Sequence, residues 1–280
     1  DKKIKIIKTP KYFSMVKHYE WLIKKSGKKI IYDFDDAVFT TSDYFSLMTM
    51  IKGDFKSKFL IKHANEIILS SPFNLDYCKK NNLNSVATYI PCSLDLDRFK
   101  TRQKKIGNPP ILGWTGTFSS KPYIDSIKPM LYELREYLNY KIVFITNFEY
   151  ELPGLDLEII EWSEKTEIED LHKIDIGLYP LTESPWSLGK GGLKTLQYMA
   201  AGIPTISTDF GTVKDFINHK ENGLLVRTKS EWIKAILELI SNDRLREKII
   251  DSARQTVEER YSVSANELKY IEILDKLIKK

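Results

Sequence analysis

Cysteine is scarce in this chain: Cys78 and Cys92 are the only two in 280 residues. Two such residues without metal-ligand spacing make neither a disulfide framework nor a zinc site. They read as free thiols in a reducing compartment. The longest apolar runs are strand-length, which excludes a membrane-spanning helix. Four histidines, His18, His63, His172 and His219, are scattered without partners at ligand spacing and read as structural or surface residues. No Gly-x-Gly-x-x-Gly occurs, and Gly113-Trp-Thr-Gly116 is too short to stand for one. A P-loop is excluded because Lys190 is followed by Gly191 where Ser or Thr is needed. Neither sign of charge dominates. The net +5 favours nucleotide phosphates or an anionic membrane surface. It does not indicate nucleic acid, because no basic patch is interleaved with aromatics. The first residue is Asp1, with no Met and no signal peptide, so a fragment of a longer protein is expected.

Hydrophobic residues make up 42% and aromatics 12%, enough for a packed interior. The length suits one large domain or two of ordinary size. Short apolar β-type runs alternate with helical patterns. Candidate strands are Ile4–Lys8, Lys29–Phe34, Glu66–Ser70 and Ser85–Ile90, then Ile111–Thr115, Lys141–Thr146, Leu157–Trp162, Asp175–Pro180, Pro204–Thr208 and Gly223–Val226. This alternation argues for parallel sheets covered by helices on both faces. The pattern breaks between Pro91 and Pro110, where Pro91, Gly107, Pro109, Pro110 and a Lys/Arg cluster read as an interdomain linker. From Asp243 to Lys280 the chain is helical, with a kink or cap at Tyr261-Ser262 and Ser262 as N-cap. Trp21, Trp114 and Trp232 are assigned to packing.

The segment from Ser184 to Pro204 carries the most chemistry. It is a Gly-rich loop that runs into a helix and stops at Gly202-Ile-Pro204. A helix over Lys190–Ala201 would put Lys190, Lys194 and Gln197 within one arc, at i, i+4 and i+7. Leu193, Leu196, Met199 and Ala200 would face a core. Two ammonium groups one turn apart repel by a few tenths of a kcal/mol. An anion between them removes that cost. The helix start adds partial positive charge and N–H donors, and Gly191 and Gly192 let a ligand come close. Gln197 can bond a hydroxyl, so a diphosphate joined to a sugar is the natural guest. A surface helix with two solvated lysines is the competing reading.

These residues resemble a known family. The Gly-Lys-x3-Lys-x2-Gln-Tyr-Met-Ala-x-Gly-x-Pro run from Gly189 is similar to the donor-binding helix of retaining nucleotide-sugar glycosyltransferases of the GT-B fold (group 1, family 4 type). Ile90-Pro-Cys-Ser-Leu-Asp-Leu-Asp-Arg-Phe99 resembles the segment that ends the family's first domain. Ile111-Leu-Gly-Trp-Thr-Gly116 resembles the first strand and glycine turn of the second. Asp175-Ile-Gly-Leu-Tyr-Pro180 and Asn222-Gly-Leu-Leu-Val226 resemble two later strands. The resemblance covers about residues 28 to 265. The chain departs from it at the family's Glu-x7-Glu pair, which maps onto Gly189 and Gln197, so neither carboxylate is present. Gln197 can take the ribose hydroxyls as a neutral amide. The missing Gly189 carboxylate leaves the donor sugar open. The family's first strands and Gly-rich acceptor loop are not found before Ile4, so the first domain is expected to be incomplete.

Asp33-Phe-Asp35-Asp36 follows the apolar run Lys29–Tyr32, at the strand end where ligands bind in parallel sheets. A turn with an N-capping Asp is the plain reading. Three others compete with it. The resemblance puts Asp35 where the family often has a His at the sugar-facing cleft. An Asp-x-Asp can hold Mg²⁺ or Mn²⁺ with a nucleotide sugar. Asp33 and Asp35 also match the start of a haloacid-dehalogenase-type phosphatase motif, with Ala37 where that family has Thr.

The resemblance implies an α/β fold of two Rossmann-like, parallel-sheet domains facing across a cleft. An incomplete acceptor-side domain is expected over 1–105, a donor-binding domain over 106–262 and a crossover helix over 263–280. The expected activity is a metal-independent, retaining hexosyl transfer from a nucleotide-diphosphate sugar, in cell-surface polysaccharide or glycolipid synthesis. The acceptor would be a saccharide or a lipid-linked hydroxyl. Asp35, Lys190 and Lys194 are the candidate catalytic residues. Gly116, Thr117, Trp162, Gly189, Gly191 and Gln197 are the candidate donor contacts. Trp186 is either a stacking platform or a core anchor. No metal, no cofactor and no nucleic acid is expected. The chain would be cytoplasmic, or peripheral at the inner face of the membrane. The alternatives are the phosphatase and a non-catalytic sugar-nucleotide-binding module.

Overall fold

A computed structural model of the protein describes residues 4–8, 25–40, 57–84, 86–101 and 105–279; Trp21 and His18 lie outside them. Alternating apolar runs and helical patterns fold into two compact units. One takes in the chain up to Cys92 together with Glu183–Gly191 and Asn266–Lys280; the other takes in Ser93–Thr182 and Gly192–Ala265. The expected boundary near residue 105 thus falls earlier, between Cys92 and Ser93. Glu183–Gly191, expected with the donor domain, packs with the first unit.

The first unit holds a four-stranded parallel sheet in the order β1 (Ile4–Lys8), β2 (Lys29–Phe34), β3 (Glu66–Leu69), β4 (Thr88–Tyr89). The expected strand over Ser85–Ile90 shrinks to two paired residues. β2 is apolar on both faces, and the structure covers both. Tyr32 and Phe34 point with Ile67 and Leu69 toward Cys78 on helix α1 (Pro72–Asn81). Ile31 and Ile68 point the other way, onto Ile273 and Leu277 of the C-terminal helix. Two-sided burial explains why these strands read as continuous apolar runs instead of alternating ones. Lys276 of that helix pairs at 2.5 Å with Glu66, which is only 2% exposed.

The second unit holds a six-stranded parallel sheet. Its members are β5 (Ile111–Gly116), β6 (Lys141–Thr146), β7 (Leu157–Glu161), β8 (Ile176–Tyr179), β9 (Thr205–Thr208) and β10 (Leu224–Val226), in the order β10-β9-β8-β5-β6-β7. From β5 the chain builds outward through β6 and β7, then returns to β8 on the opposite side of β5. The carboxyl ends of β5 and β8 therefore flank the point where strand order reverses, the usual ligand position in open parallel sheets.

Helices α2 (Lys121–Leu134), α3 (Glu167–Leu171), α4 (Pro185–Leu188), α5 (Leu193–Ala201), α6 (Lys229–Ser241), α7 (Asp243–Arg260) and α8 (Val263–Lys279) follow in chain order. Thr228 and Glu231 form a reciprocal capping box at the start of α6. The break expected at Tyr261-Ser262 is present. α7 ends at Arg260, and Ser262 Oγ accepts the Ala265 N–H at 3.1 Å. Trp114 and Trp232 are 2% and 3% exposed in the second core.

Candidate functional site

The Gly-rich segment does not form one helix from Lys190. Helix α5 begins at Leu193, and its N-cap Gly192 has φ +75°, in the left-handed region. A right-handed helix cannot run through that residue. Lys190 and Lys194 therefore do not lie on one helical arc, contrary to the expectation from the sequence. Leu193 is also misassigned, being 39% exposed. Leu196, Met199 and Ala200 are buried as expected, with Tyr198 beside them. Gly202, at φ +76°, closes the helix.

In the first unit, α4 starts on Ser184, whose Oγ accepts the Ser187 N–H at 3.1 Å. Gly189 follows in a place that admits no side chain. A Cβ there would lie 2.4 Å from the Ala37 Cβ and 2.7 Å from the Ala37 nitrogen. Its carbonyl accepts from Asn74 Nδ2 at 3.0 Å. Packing thus accounts for the missing carboxylate at this position. Gly191 lies as tightly against Ser70 and Cys92. Between them, Lys190 puts its Nζ 3.4 Å from Asp36 Oδ1 and 5.8 Å from the Trp186 ring centroid. Trp186 itself packs against the apolar core of this unit.

The acidic segment and Lys190 thus share one cluster. Asp35 keeps an exposed side chain, yet the surrounding protein desolvates its carboxyl and raises it above the usual range. The charge of Asp36 adds to the rise, and Lys190 opposes it. Ser70 Oγ donates to the Asp35 carbonyl at 3.2 Å. Neither Asp33 nor Asp36 caps a helix within the described residues; a turn follows, with the Thr40 N–H on the Ala37 carbonyl at 2.8 Å.

In the second unit the candidate residues gather at the switch point. Gly116 ends β5 so close to Trp114 that a Cβ would fall 2.1 Å from the indole Cζ2. Thr117 is exposed, and its Oγ1 lies 3.0 Å from Ser119 Oγ. The Lys194 Nζ reaches Ser120 Oγ at 3.3 Å and stands 5.5 Å from the Trp114 ring centroid. Behind the turn, the buried Tyr198 hydroxyl accepts the Thr115 N–H at 2.8 Å.

Trp162 and Gln197 meet on a residue that sequence reasoning did not single out. Glu167 Oε1 accepts the Trp162 indole N–H at 3.1 Å and the Gln197 amide at 3.0 Å. Its Oε2 lies 3.9 Å from the Arg98 guanidinium. Gln197, expected to face a hydroxyl directly, is instead committed to a carboxylate. The only sequence signal for Glu167 was an acid five residues beyond Trp162; the partner on α5 is 30 residues away.

Among the described residues, no group of three or more His, Cys, Asp or Glu is placed to hold a metal, and no helix is long and apolar enough to cross a membrane. His172 Nε2 contacts the Lys100 carbonyl at 3.0 Å, and His219 Nδ1 accepts the Leu225 N–H at 3.1 Å. Both are structural contacts. Cys78 and Cys92 are free thiols, as expected.

Residues 133–256 match the family model described as glycosyl transferases group 1. Among solved structures, Anabaena HepE in complex with UDP-glucose superposes with a TM-score of 0.73 at 12% identity, over 93% of this chain and 76% of that one. A sucrose-phosphate synthase from Thermosynechococcus elongatus superposes at 0.69 with 13% identity, over 92% and 70%. A glycosyltransferase from Rickettsia africae superposes at 0.69 with 16% identity, over 94% and 74%. No curated protein matches by sequence. Likeness at these identities shows the fold, an α/β architecture of parallel sheets as in GT-B glycosyltransferases. The haloacid-dehalogenase alternative is not favoured, since both comparisons point to glycosyltransferases.

Proposed function

We propose that this protein, a glycosyltransferase of the group 1 type, transfers a sugar from a nucleotide-diphosphate donor to an acceptor hydroxyl with retention and without a metal. The observation that carries the reading is Lys194 in the first turn of α5, beside the Gly116–Thr117 turn at the strand-order switch. A cation and helix-start N–H groups at that position suit a diphosphate. The UDP-glucose held by HepE supports the donor class.

In this reading Lys194 neutralises charge on the departing diphosphate as it develops. Lys190, held beside Asp36 in the first unit, is the other candidate cation. In the second unit Thr117, Trp162 and Gln197 serve the donor nucleotide; in the first, Asp35 orients the acceptor or the transferring sugar. With its carboxyl raised, Asp35 can hold or take a proton nearer neutral pH than an ordinary carboxylate. A saccharide or lipid-linked acceptor, with peripheral contact at an anionic membrane, is consistent with the net charge of +5.

Calorimetric titration with UDP and GDP tests the cations. Lys194→Ala and Lys190→Ala should each weaken binding by about 1.5–3 kcal/mol, the worth of a charge-assisted contact. Unchanged affinity in both variants would overturn the phosphate assignment. Turnover should also persist in excess EDTA; loss with EDTA and rescue by Mn²⁺ would replace the cation mechanism with a metal-dependent one.

A further inference from the structure

The amino end of the first sheet gathers lysines from separate stretches of the chain. Lys28 and Lys29 lead into β2, Lys62 lies in the last turn of the helical segment 57–63 ahead of β3, and Lys79 and Lys80 lie in the last turn of α1. Hydrogen bonds tie these ends together. The Asn65 N–H donates to the Ile30 carbonyl at 2.9 Å and the Leu83 N–H to the Lys62 carbonyl at 3.0 Å. Asn82 Nδ2 donates to the Ala64 carbonyl at 3.1 Å. The last turn of α8 joins them through the Lys276–Glu66 pair.

Acids do not neutralise this end. Glu66 is engaged by Lys276, and Asp275 lies 3.7 Å from Lys279. Lys28, Lys29, Lys62, Lys79 and Lys80 have no ion-pair partner among the described residues, and all but Lys29 are exposed. Set against Asp76 on the preceding turn of α1, the five leave an excess of four, most of the chain's net +5. The carbonyl ends of two helices account for cations at Lys62, Lys79 and Lys80, but Lys28 and Lys29 precede a strand. Leu83 stands among them, 64% exposed. Lysines around an exposed aliphatic side chain suit lipid headgroups and the acyl boundary beneath them. Among the described residues no large aromatic is exposed at this end, and nucleic-acid bases need such platforms.

We infer that the amino end of the first sheet is a docking surface for an anionic lipid bilayer, its five lysines contacting headgroups and Leu83 entering the interface. The inference rests on the peripheral membrane contact proposed above and says where that contact is made. The six residues of β2 separate this end from Asp35 by about 20 Å. A bilayer docked here therefore leaves the Asp35–Lys190 cluster, at the opposite end of the same sheet, uncovered.

Flotation of the whole chain with vesicles tests this, comparing equal parts of phosphatidylglycerol and phosphatidylcholine with phosphatidylcholine alone. The wild type should float with the anionic vesicles and not with the neutral ones. The triple variant Lys62→Gln, Lys79→Gln, Lys80→Gln should partition about 100-fold more weakly, about fivefold for each lysine. A control triple in the second unit, Lys105→Gln, Lys165→Gln, Lys234→Gln, removes the same charge from exposed positions. It should stay within about twofold of wild type, because charges more than a Debye length from the bilayer are screened. Melting temperature confirms that each variant is folded. Should the first triple fail to fold, its three single variants carry the test, each with its own fivefold step. Equal losses in the two triples, or none in the first, would overturn this surface and leave the peripheral contact standing. Failure of the wild type to float with anionic vesicles would overturn both, and retention of a single-stranded oligonucleotide instead would assign the lysines to nucleic acid.

Discussion

Tyr198 offers a clean perturbation of the second unit. It is fully buried, and its hydroxyl accepts the Thr115 N–H at 2.8 Å. The β5–β8 pairing ends at Gly113↔Gly177, so the hydroxyl takes over where the ladder stops. Burial raises the phenol well above its usual range, so it stays neutral. Tyr198→Phe keeps the ring, which packs where a Gly177 Cβ would come within 2.6 Å of it. What it removes is the acceptor of a main-chain N–H at a residue only 9% exposed. An orphaned buried N–H costs about 1–3 kcal/mol, so a loss of about 2 kcal/mol is expected. For a chain of this size that lowers Tm by roughly 4–8 °C. Urea unfolding read by tryptophan emission measures the free energy, and hydrogen exchange measures the Thr115 amide itself. A change below about 0.5 kcal/mol, with Thr115 exchange unaltered, would refute the claim that the hydroxyl completes the ladder.

Two further outcomes follow from perturbed groups. Burial pushes the Cys92 thiol up to about 11 and the Cys78 thiol up to about 12. Native Cys92 should therefore alkylate near neutral pH about 100-fold more slowly than an ordinary thiol of pKa 9.0, Cys78 more slowly still, and both rapidly in guanidinium; mass spectrometry that found fast native labelling would contradict this burial. Asp209 accepts from Arg227 Nε at 2.8 Å, with Lys214 at 3.7 Å, and its carboxyl is lowered first by that hydrogen bond. Its stabilisation is complete above the ordinary value of 3.8 and is lost as pH falls through the lowered folded value. Asp209→Asn should cost about 0.5–1 kcal/mol at pH 7 and progressively less in acid. A cost independent of pH in urea titrations would assign the effect to packing.

Much of the architecture was legible in the residues themselves. Strand-length apolar runs between helical patterns, with a proline-rich break, already imply parallel sheets, because only two-sided burial tolerates unalternating Ile and Val. Lys29–Phe34, Lys141–Thr146 and the stop at Gly202 are local features, decided by periodicity and turn chemistry, and the structure has them in place. Other features needed the fold. The left-handed Gly192 moves the helix start to Leu193, although the run Gly189-Lys190-Gly191-Gly192 did not reveal which glycine would adopt that conformation. Gly189 is bare because Ala37 and Asn74, more than a hundred residues earlier, fill the space of its side chain. Lys190 finds Asp36, and Gln197 finds Glu167, through contacts that no local spacing encodes. Hydrophobic period is a property of neighbours along the chain, so sequence alone determines it. The partner of a polar side chain is a property of neighbours in space, and only the packed strands and helices decide which donor meets which carboxylate.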